Sequence, residues 1–248
     1  MDNLELSHWL FGILGAIFIG LGKGGLPGMG NLTVAMYAIV LPDPKLSVGV
    51  LLPILCAADI VAVRIYRKHA QVKDVLRLLP WAVVGIVLGY FCFQRLSSEN
   101  VRVFMGGMLL ALTALHFIRQ RFFSATADQA HNSFLRAFLG VLGGFATMIA
   151  NAAGPVAAFY FISMRLPKVV FVGTTAWFFL VVNWIKIPFM IDLGIINTTW
   201  FPFSLAMMIP AVLATLVAPQ ILKRIPQKTF SILIWFFIVV AAVKLLLG

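Results

Sequence analysis

Acidic side chains are scarce in this sequence. Eight Asp and Glu stand against nineteen Lys and Arg, and charged residues of both signs fill only 11% of the 248 positions. Soluble domains carry about a quarter charged residues, so a chain that is 62% hydrophobic with mean hydropathy +1.02 excludes a soluble globular class. Cysteine is almost absent. Cys56 and Cys92 both fall inside apolar runs and read as small buried hydrophobes. No C-x-x-C spacing occurs and the four histidines (His8, His69, His116, His131) are scattered, so no metal site and no cofactor are expected. Carboxylates deep in apolar sequence are reduced to one, Asp59. An intramembrane enzyme needs two aspartates, a Ser/His pair or a histidine metal cluster, so no catalytic residue is expected. The start of the chain has Asp2 and Glu5 and no basic n-region, which argues against a cleaved signal peptide.

What the chain does have is apolar runs long enough to cross a bilayer. The expected class is an all-α polytopic membrane protein, without a soluble domain or a long linker. The formal charge of +11 sits in short loops between the runs, as cytoplasmic loops do. No basic patch is interleaved with exposed aromatics, so nucleic acid is not an expected partner.

Two runs are interrupted. Residues 9–41 are broken at Gly20-Leu21-Gly22-Lys23-Gly24-Gly25-Leu26-Pro27-Gly28-Met29-Gly30-Asn31, and residues 134–166 at Asn151-Ala152-Ala153-Gly154-Pro155. Glycine and proline weaken helices, and lysine is costly in hydrocarbon. Backbone released at membrane depth needs a partner, a cavity or water. Glycines alone are often close-packing sites; a run of glycines with a proline and a lysine, loosely repeated in the other half, points instead to a solute site.

The remaining spans fall in the same order in each half. Residues 1–124 hold the first interrupted run and spans 46–63, 78–94 and 101–118. Residues 125–248 hold the second and spans 168–190, 199–221 and 229–247. Pro44-Lys45 lines up with Pro167-Lys168, Gly49 with Gly173, Asp59 with Asn183 and Phe104 with Phe230, a repeat of about 124 residues. Charge decides its sense. If each interrupted run crosses the membrane, the loop Lys and Arg split nine to eight. If each enters and turns back, the segments 64–77, 119–136, 165–168 and 223–228 share one side with thirteen, and the other keeps four: Lys45, Arg95, Arg102 and Lys244. The positive-inside rule selects the second arrangement: six crossings, two re-entrant helical hairpins, inverted repeats, and both termini outside.

At a re-entrant tip the second half-helix begins inside the membrane. Its first N–H groups lack helical partners and its end carries about half a positive charge. Two such ends form an anion site, to which glycine allows close backbone approach. The expected substrate-binding residues are Gly22, Lys23, Gly24, Gly25, Pro27, Asn31, Asn151, Gly154, Pro155, Asn183 and Lys186, with Asn31 and Asn151 donating amide hydrogen bonds. Lys186 lies one turn beyond Asn183 on the same helix face. Three readings of the buried charges stay open: an Asp59–Lys186 ion pair, a coupling proton on Asp59, and an anion held by Lys186. Thr174 and Thr175 read as bonding their own backbone. His116 reads as a solvated position near a span end. The literal match Gly20-x-Gly22-x-x-Gly25 to a dinucleotide fingerprint has no strand before it and is set aside.

At these residues the chain resembles the sulfite exporter TauE/SafE family of bacterial membrane proteins. The resemblance rests on Gly22-Lys23-Gly24-Gly25-Leu26-Pro27-Gly28, on the Asn-x-x-Gly-Pro break from Asn151 to Pro155, and on the Leu166-Pro167-Lys168 to Gly173-Thr174 segment. It covers nearly the whole chain through its two-halved plan. Lys23 within the glycine run and the glycine-poor second break depart from the commonest family pattern. The resemblance implies export of a small sulfur-containing anion, sulfite or an organosulfonate, from the cytoplasm across a bacterial inner membrane. A proton- or sodium-coupled importer of a small anion or sulfur compound, with Asp59 as coupling group, is the alternative. The bilayer and a small anion are the expected partners; a homodimer is left open.

Overall fold

The computed structural model describes residues 6–26, 29–122, 133–164 and 166–222, with Val239, Val240, Val243, Leu246 and Leu247 near the end. Pro27, Gly28, Arg165, the 223–228 segment and nearly all of the 229–247 span lie outside the described residues. Nine α-helices follow in order among them: α1 (Leu6–Lys23), α2 (Met29–Val40), α3 (Pro44–Tyr66), α4 (Val72–Arg95), α5 (Ser98–Phe122), α6 (Ser133–Ala150), α7 (Gly154–Ser163), α8 (Lys168–Asp192) and α9 (Phe201–Leu222). No strand occurs among the described residues. The helices overrun the apolar runs at several ends, because helical hydrogen bonding continues into polar residues such as Val72–Arg77 and Arg119–Phe122.

Among the described residues six helices are long and apolar enough to cross a membrane: α1, α3 with its following turn, α4, α6, α8 and α9. This set differs from the six spans read from the sequence. It takes in α1 and α6, the first limbs of the interrupted runs, and it leaves out α5; the last run lies outside the described residues. The outward faces are apolar, with Ile209 65%, Leu213 56% and Leu88 51% exposed. The interior instead holds Asp59, Lys186, Asn183, Thr147, Thr174, Ser204 and Thr215. Apolar outside and polar within is the order a lipid solvent imposes.

Both interrupted runs break where the sequence places the breaks. α1 ends in a Schellman motif: the Gly25 N–H donates to the Gly22 carbonyl (3.2 Å) and the Leu26 N–H to the Leu21 carbonyl (3.0 Å). Gly25 takes φ +117°, which a side chain would resist. α2 then runs back along α1. The Thr33 hydroxyl donates to the Gly15 carbonyl (3.0 Å), and farther from the tip the Tyr37 hydroxyl donates to the Gly12 carbonyl (2.8 Å). In the second run α6 stops at Asn151, whose φ of +52° is a left-handed conformation that asparagine tolerates.

Contacts between the halves give each helix a direction. α3 and α8 are antiparallel: Asp59 meets Asn183 near the middle, and Gly173 near the start of α8 meets Tyr66 at the end of α3. α1 and α9 run parallel, with Gly12 against Phe203, Gly20 against Ala211 and Gly24 against Ala218. α4 and α6 run parallel, with Gly140 against Trp81, Gly144 against Ala82 and Gly89 against Met148. Glycine is needed at these crossings because a Cβ on Gly20 or Gly144 would overlap the facing backbone. Chain direction then gathers Arg64, Arg67, Lys68, Lys73, Arg77, Arg136 and Lys168 at one end of the bundle. Lys45, Arg95 and Arg102 fall at the other.

Candidate functional site

The tips of the two breaks meet inside the bundle, against the middle of α3 and α8. Lys23 closes α1 and extends its ammonium to Asp59 of α3, 2.6 Å away. The same ammonium lies 4.2 Å above the Phe179 ring of α8, a cation–π contact. The other carboxylate oxygen of Asp59 accepts a 2.7 Å hydrogen bond from Asn183 Nδ2. Asp59 is wholly buried and the Lys23 side chain is 13% exposed. The Asp59–Lys186 ion pair expected as one reading therefore does not form. Asp59 pairs with Lys23, because the first hairpin delivers Lys23 to the face of α3 that carries Asp59.

Lys186 turns to the second break instead. Its Nζ donates to the Thr147 carbonyl (2.6 Å), to Thr147 Oγ1 (3.3 Å) and to Asn151 Oδ1. All three acceptors are uncharged, and no carboxylate lies within ion-pair distance among the described residues. Lys186 is completely buried. In the protonated form its three N–H groups are used and no acid neutralises its charge, an expensive arrangement in a low-dielectric interior.

Both polar atoms of the Asn151 amide make a hydrogen bond. Nδ2 donates to the Val48 carbonyl of α3 (2.9 Å) while Oδ1 receives Lys186. That carbonyl lies in the turn before Pro53, and the nearby Val50 carbonyl accepts from Ser204 (2.9 Å). Pro53 lacks an N–H and so frees the Gly49 carbonyl between them, while Val48 and Val50 accept these bonds on their second lone pairs. Asn151 was expected to donate to an oxyanion; in this conformation one of its two amide N–H groups bonds Val48.

Asn31 differs. It lies in the first turn of α2 and is 5% exposed, and its side chain has no hydrogen-bond partner among the described residues. Its Oδ1 lies 3.6 Å from where a Cβ on Gly154 would stand, so it faces the first residue of α7. Beside Gly30 in the same turn of α2, a Cβ would meet nothing within 4 Å. The starts of α2 and α7 thus bring N–H groups without helical acceptors to one place, with an unpartnered amide between them.

Of the expected site residues, Lys23, Asn31, Asn151, Gly154, Asn183, Lys186 and Asp59 are brought together at the tips. Gly24 and Gly25 form the end of α1. Gly24 also packs on Ala218 and its carbonyl accepts from Tyr66 (2.8 Å), so it serves packing. Gly22 faces Gly30 across the hairpin. Pro155 follows Gly154 in the first turn of α7; Pro27 is outside the described residues. Thr174 and Thr175 bond the carbonyls of Val170 and Phe171 (both 2.7 Å), and Thr174 also accepts from the Gln71 N–H (2.9 Å). His116 lies in α5, and its side chain is not described.

Sequence reasoning missed Thr147, and it placed Gly30 in the first break without counting it among the binding residues. Each stands one repeat period from a residue it did name, Thr147 from Lys23 and Gly30 from Gly154. Mapping each half's candidates onto the other would have found both.

A comparison with curated proteins and one with solved structures each give no match. A model of one protein family, described as sulfite exporter TauE/SafE, matches residues 12–245. With nearly the whole chain covered, this membrane-type helical protein belongs to the sulfite exporter TauE/SafE family.

Proposed function

We propose that this chain carries a small sulfur-containing anion, sulfite or an organosulfonate, outward across a bacterial inner membrane. The observation that carries this reading is an unneutralised Lys186 ammonium buried behind the start of α7, where the unpartnered Asn31 amide faces Gly154. A buried positive charge of this kind is stabilised when a passenger anion arrives. The anion contacts the first N–H groups of α2 and α7 and the Asn31 amide, and the Lys186 charge acts through space from behind Asn151.

The two halves are inverted repeats in this reading, and each interrupted run is a re-entrant hairpin. Support comes from four relationships. Asp59 and Asn183 are 124 residues apart and touch, as equivalent residues on a two-fold axis do. α3 and α8 are antiparallel, the relation expected of equivalent helices in inverted repeats. The α1/α9 contact has its counterpart in α6/α4. Gly49 packs on the turn after α8 at Ile195, and Gly173 packs on the end of α3 and the turn after it at Tyr66 and Ala70. The basic end of the bundle is then cytoplasmic.

Alternating access follows if the hairpins rock against the other helices. With an interior-negative potential, outward movement of a monoanion releases about 2.3 kcal/mol per 100 mV, so export needs no coupling ion. Asp59 is the group that a coupled importer would use. Its two oxygens are already held by Lys23 and Asn183, which favours a fixed charge over a proton carrier.

Purified protein in liposomes with an imposed interior-negative potential tests the reading. Electrogenic efflux of sulfite or isethionate is expected, lost in Lys186→Gln and independent of a pH gradient. Flux that needs a pH gradient and disappears in Asp59→Asn would favour the coupled importer instead.

A further inference from the structure

We infer that Asp59 sets the valence of the anion this site accepts, tuning it to a single negative charge. The inference rests on the anion-transport reading above and adds a specificity-determining residue to it.

Three charged side chains converge where the tips meet. Lys23 and Lys186 are positive, Asp59 is negative, and all three are buried or nearly so. The other buried carboxylate among the described residues, Asp74, is in the first turn of α4 beside Arg77, at the basic end of the bundle. The ionised side chains of the cluster therefore sum to one positive charge, beside the partial charges of the α2 and α7 starts, which substitution at Asp59 leaves unchanged. A monoanion brings these side chains to neutrality. A dianion leaves a net negative charge in a low-dielectric interior, and that residue of charge is what the site selects against.

The distribution of contacts sharpens this. Lys23 is committed to Asp59 by an ion pair and to Phe179 by its ring face, so Asp59 acts as a resident anion for Lys23. Lys186 has neutral acceptors only and keeps its charge available to a passenger. Asn183 reinforces the assignment. It occupies the position equivalent to Asp59, yet it is an amide, and it donates to the carboxylate. A second carboxylate there would cancel the remaining positive charge. One acid and one amide at two touching equivalent positions is the composition that leaves a net charge of one.

The test compares near-isosteric probes of different charge on the purified full chain: methanesulfonate against sulfate, and isethionate against sulfoacetate. Binding is read as the ligand-induced rise in melting temperature over a concentration series. Wild type is expected to favour the monoanion of each pair. Asp59→Asn raises the cluster to two positive charges and should move the dianion-to-monoanion affinity ratio upward by about tenfold or more. The double variant Lys23→Met with Asp59→Asn restores a single positive charge and should return the ratio to the wild-type value. Asn183→Asp brings the sum to zero and should weaken both probes, the dianion more. This variant keeps the idea testable if Asp59→Asn does not fold. A merely structural role for Asp59 changes stability and leaves the ratio unmoved. Unchanged ratios in the folded variants, or a wild type that prefers dianions, would overturn the valence inference alone. If no probe shifts wild type, the anion-transport reading falls with it.

Discussion

Asn183 donates a 2.7 Å hydrogen bond to Asp59 across the α3/α8 crossing, and the two residues are separated by 124 positions, the period of the sequence repeat. Lys23 holds the opposite oxygen of the same carboxylate at 2.6 Å. One buried acid thus fastens the first hairpin, α3 and α8 together.

Removing that acid should be costly. Asp59→Ala leaves the Lys23 ammonium without its counter-charge and Asn183 without its acceptor. Breaking a buried pair from one side costs about 3–5 kcal/mol. Thermal unfolding in detergent should show a large fall for Asp59→Ala and a smaller one for Lys23→Met combined with Asp59→Leu, since the double change removes both charges. A double variant as unstable as the single would show that the pair is not what holds these helices.

The two asparagines at the tips should behave differently. Asn31→Ala removes an amide without a partner among the described residues, so stability should change by less than about 0.5 kcal/mol while anion binding weakens. Asn151→Ala removes the bridge between Lys186 and Val48 and replaces a left-handed asparagine. It should destabilise by about 1–3 kcal/mol. Melting curves with and without anion measure both, and equal destabilisation of the two variants would contradict the assignment.

Lys186→Met removes a buried charge that no acid neutralises. Relief of the buried charge offsets about 1–3 kcal/mol for the Thr147 and Asn151 acceptors left without a donor. The ligand-free variant should melt close to the wild-type temperature and lose its response to anions. A clear drop in the ligand-free melting temperature would mark Lys186 as a structural residue.

Close crossings predict a graded glycine series. A side chain on Gly144 overlaps the Ala82 backbone, and one on Gly20 overlaps Ala211, whereas Gly107 has open space beside it. Gly144→Val and Gly20→Val should cost at least about 1–3 kcal/mol by overpacking and lower the folded yield. Gly107→Val should be nearly silent. Size-exclusion profiles and melting temperatures of the three variants provide the comparison.

Single cysteines report sidedness. In a background without Cys56 and Cys92, Lys68→Cys should react with impermeant thiol reagent only from the cytoplasmic side, and Asn197→Cys only from outside. Labelling of both from one face would refute the re-entrant topology.

Much of the architecture was legible from local sequence. The breaks at Gly20–Asn31 and Asn151–Pro155 fall where glycine, proline and asparagine interrupt apolar runs, because helix termination is decided by backbone preferences within a few residues. The bundle's charge asymmetry was legible too, since Lys and Arg cluster in particular loops. Span limits were less so: α3 and α4 extend into polar flanks that hydropathy alone trims away. The Asp59 partner was read toward Lys186 because the two looked close through the repeat alignment of Asp59 with Asn183.

The residues alone settled that this chain is helical, suited to a membrane and interrupted twice, since burial preference and helix breaking are properties of short stretches. Only the tertiary structure decided which cation meets which acceptor. Lys23 and Asp59 lie far apart along the chain, as do Lys186 and Thr147, and nothing in either neighbourhood specifies the other. Their pairing follows from where the α1 tip meets α3 and where the α6 tip meets α8, and those crossings are set by glycine contacts spread over four other helix faces.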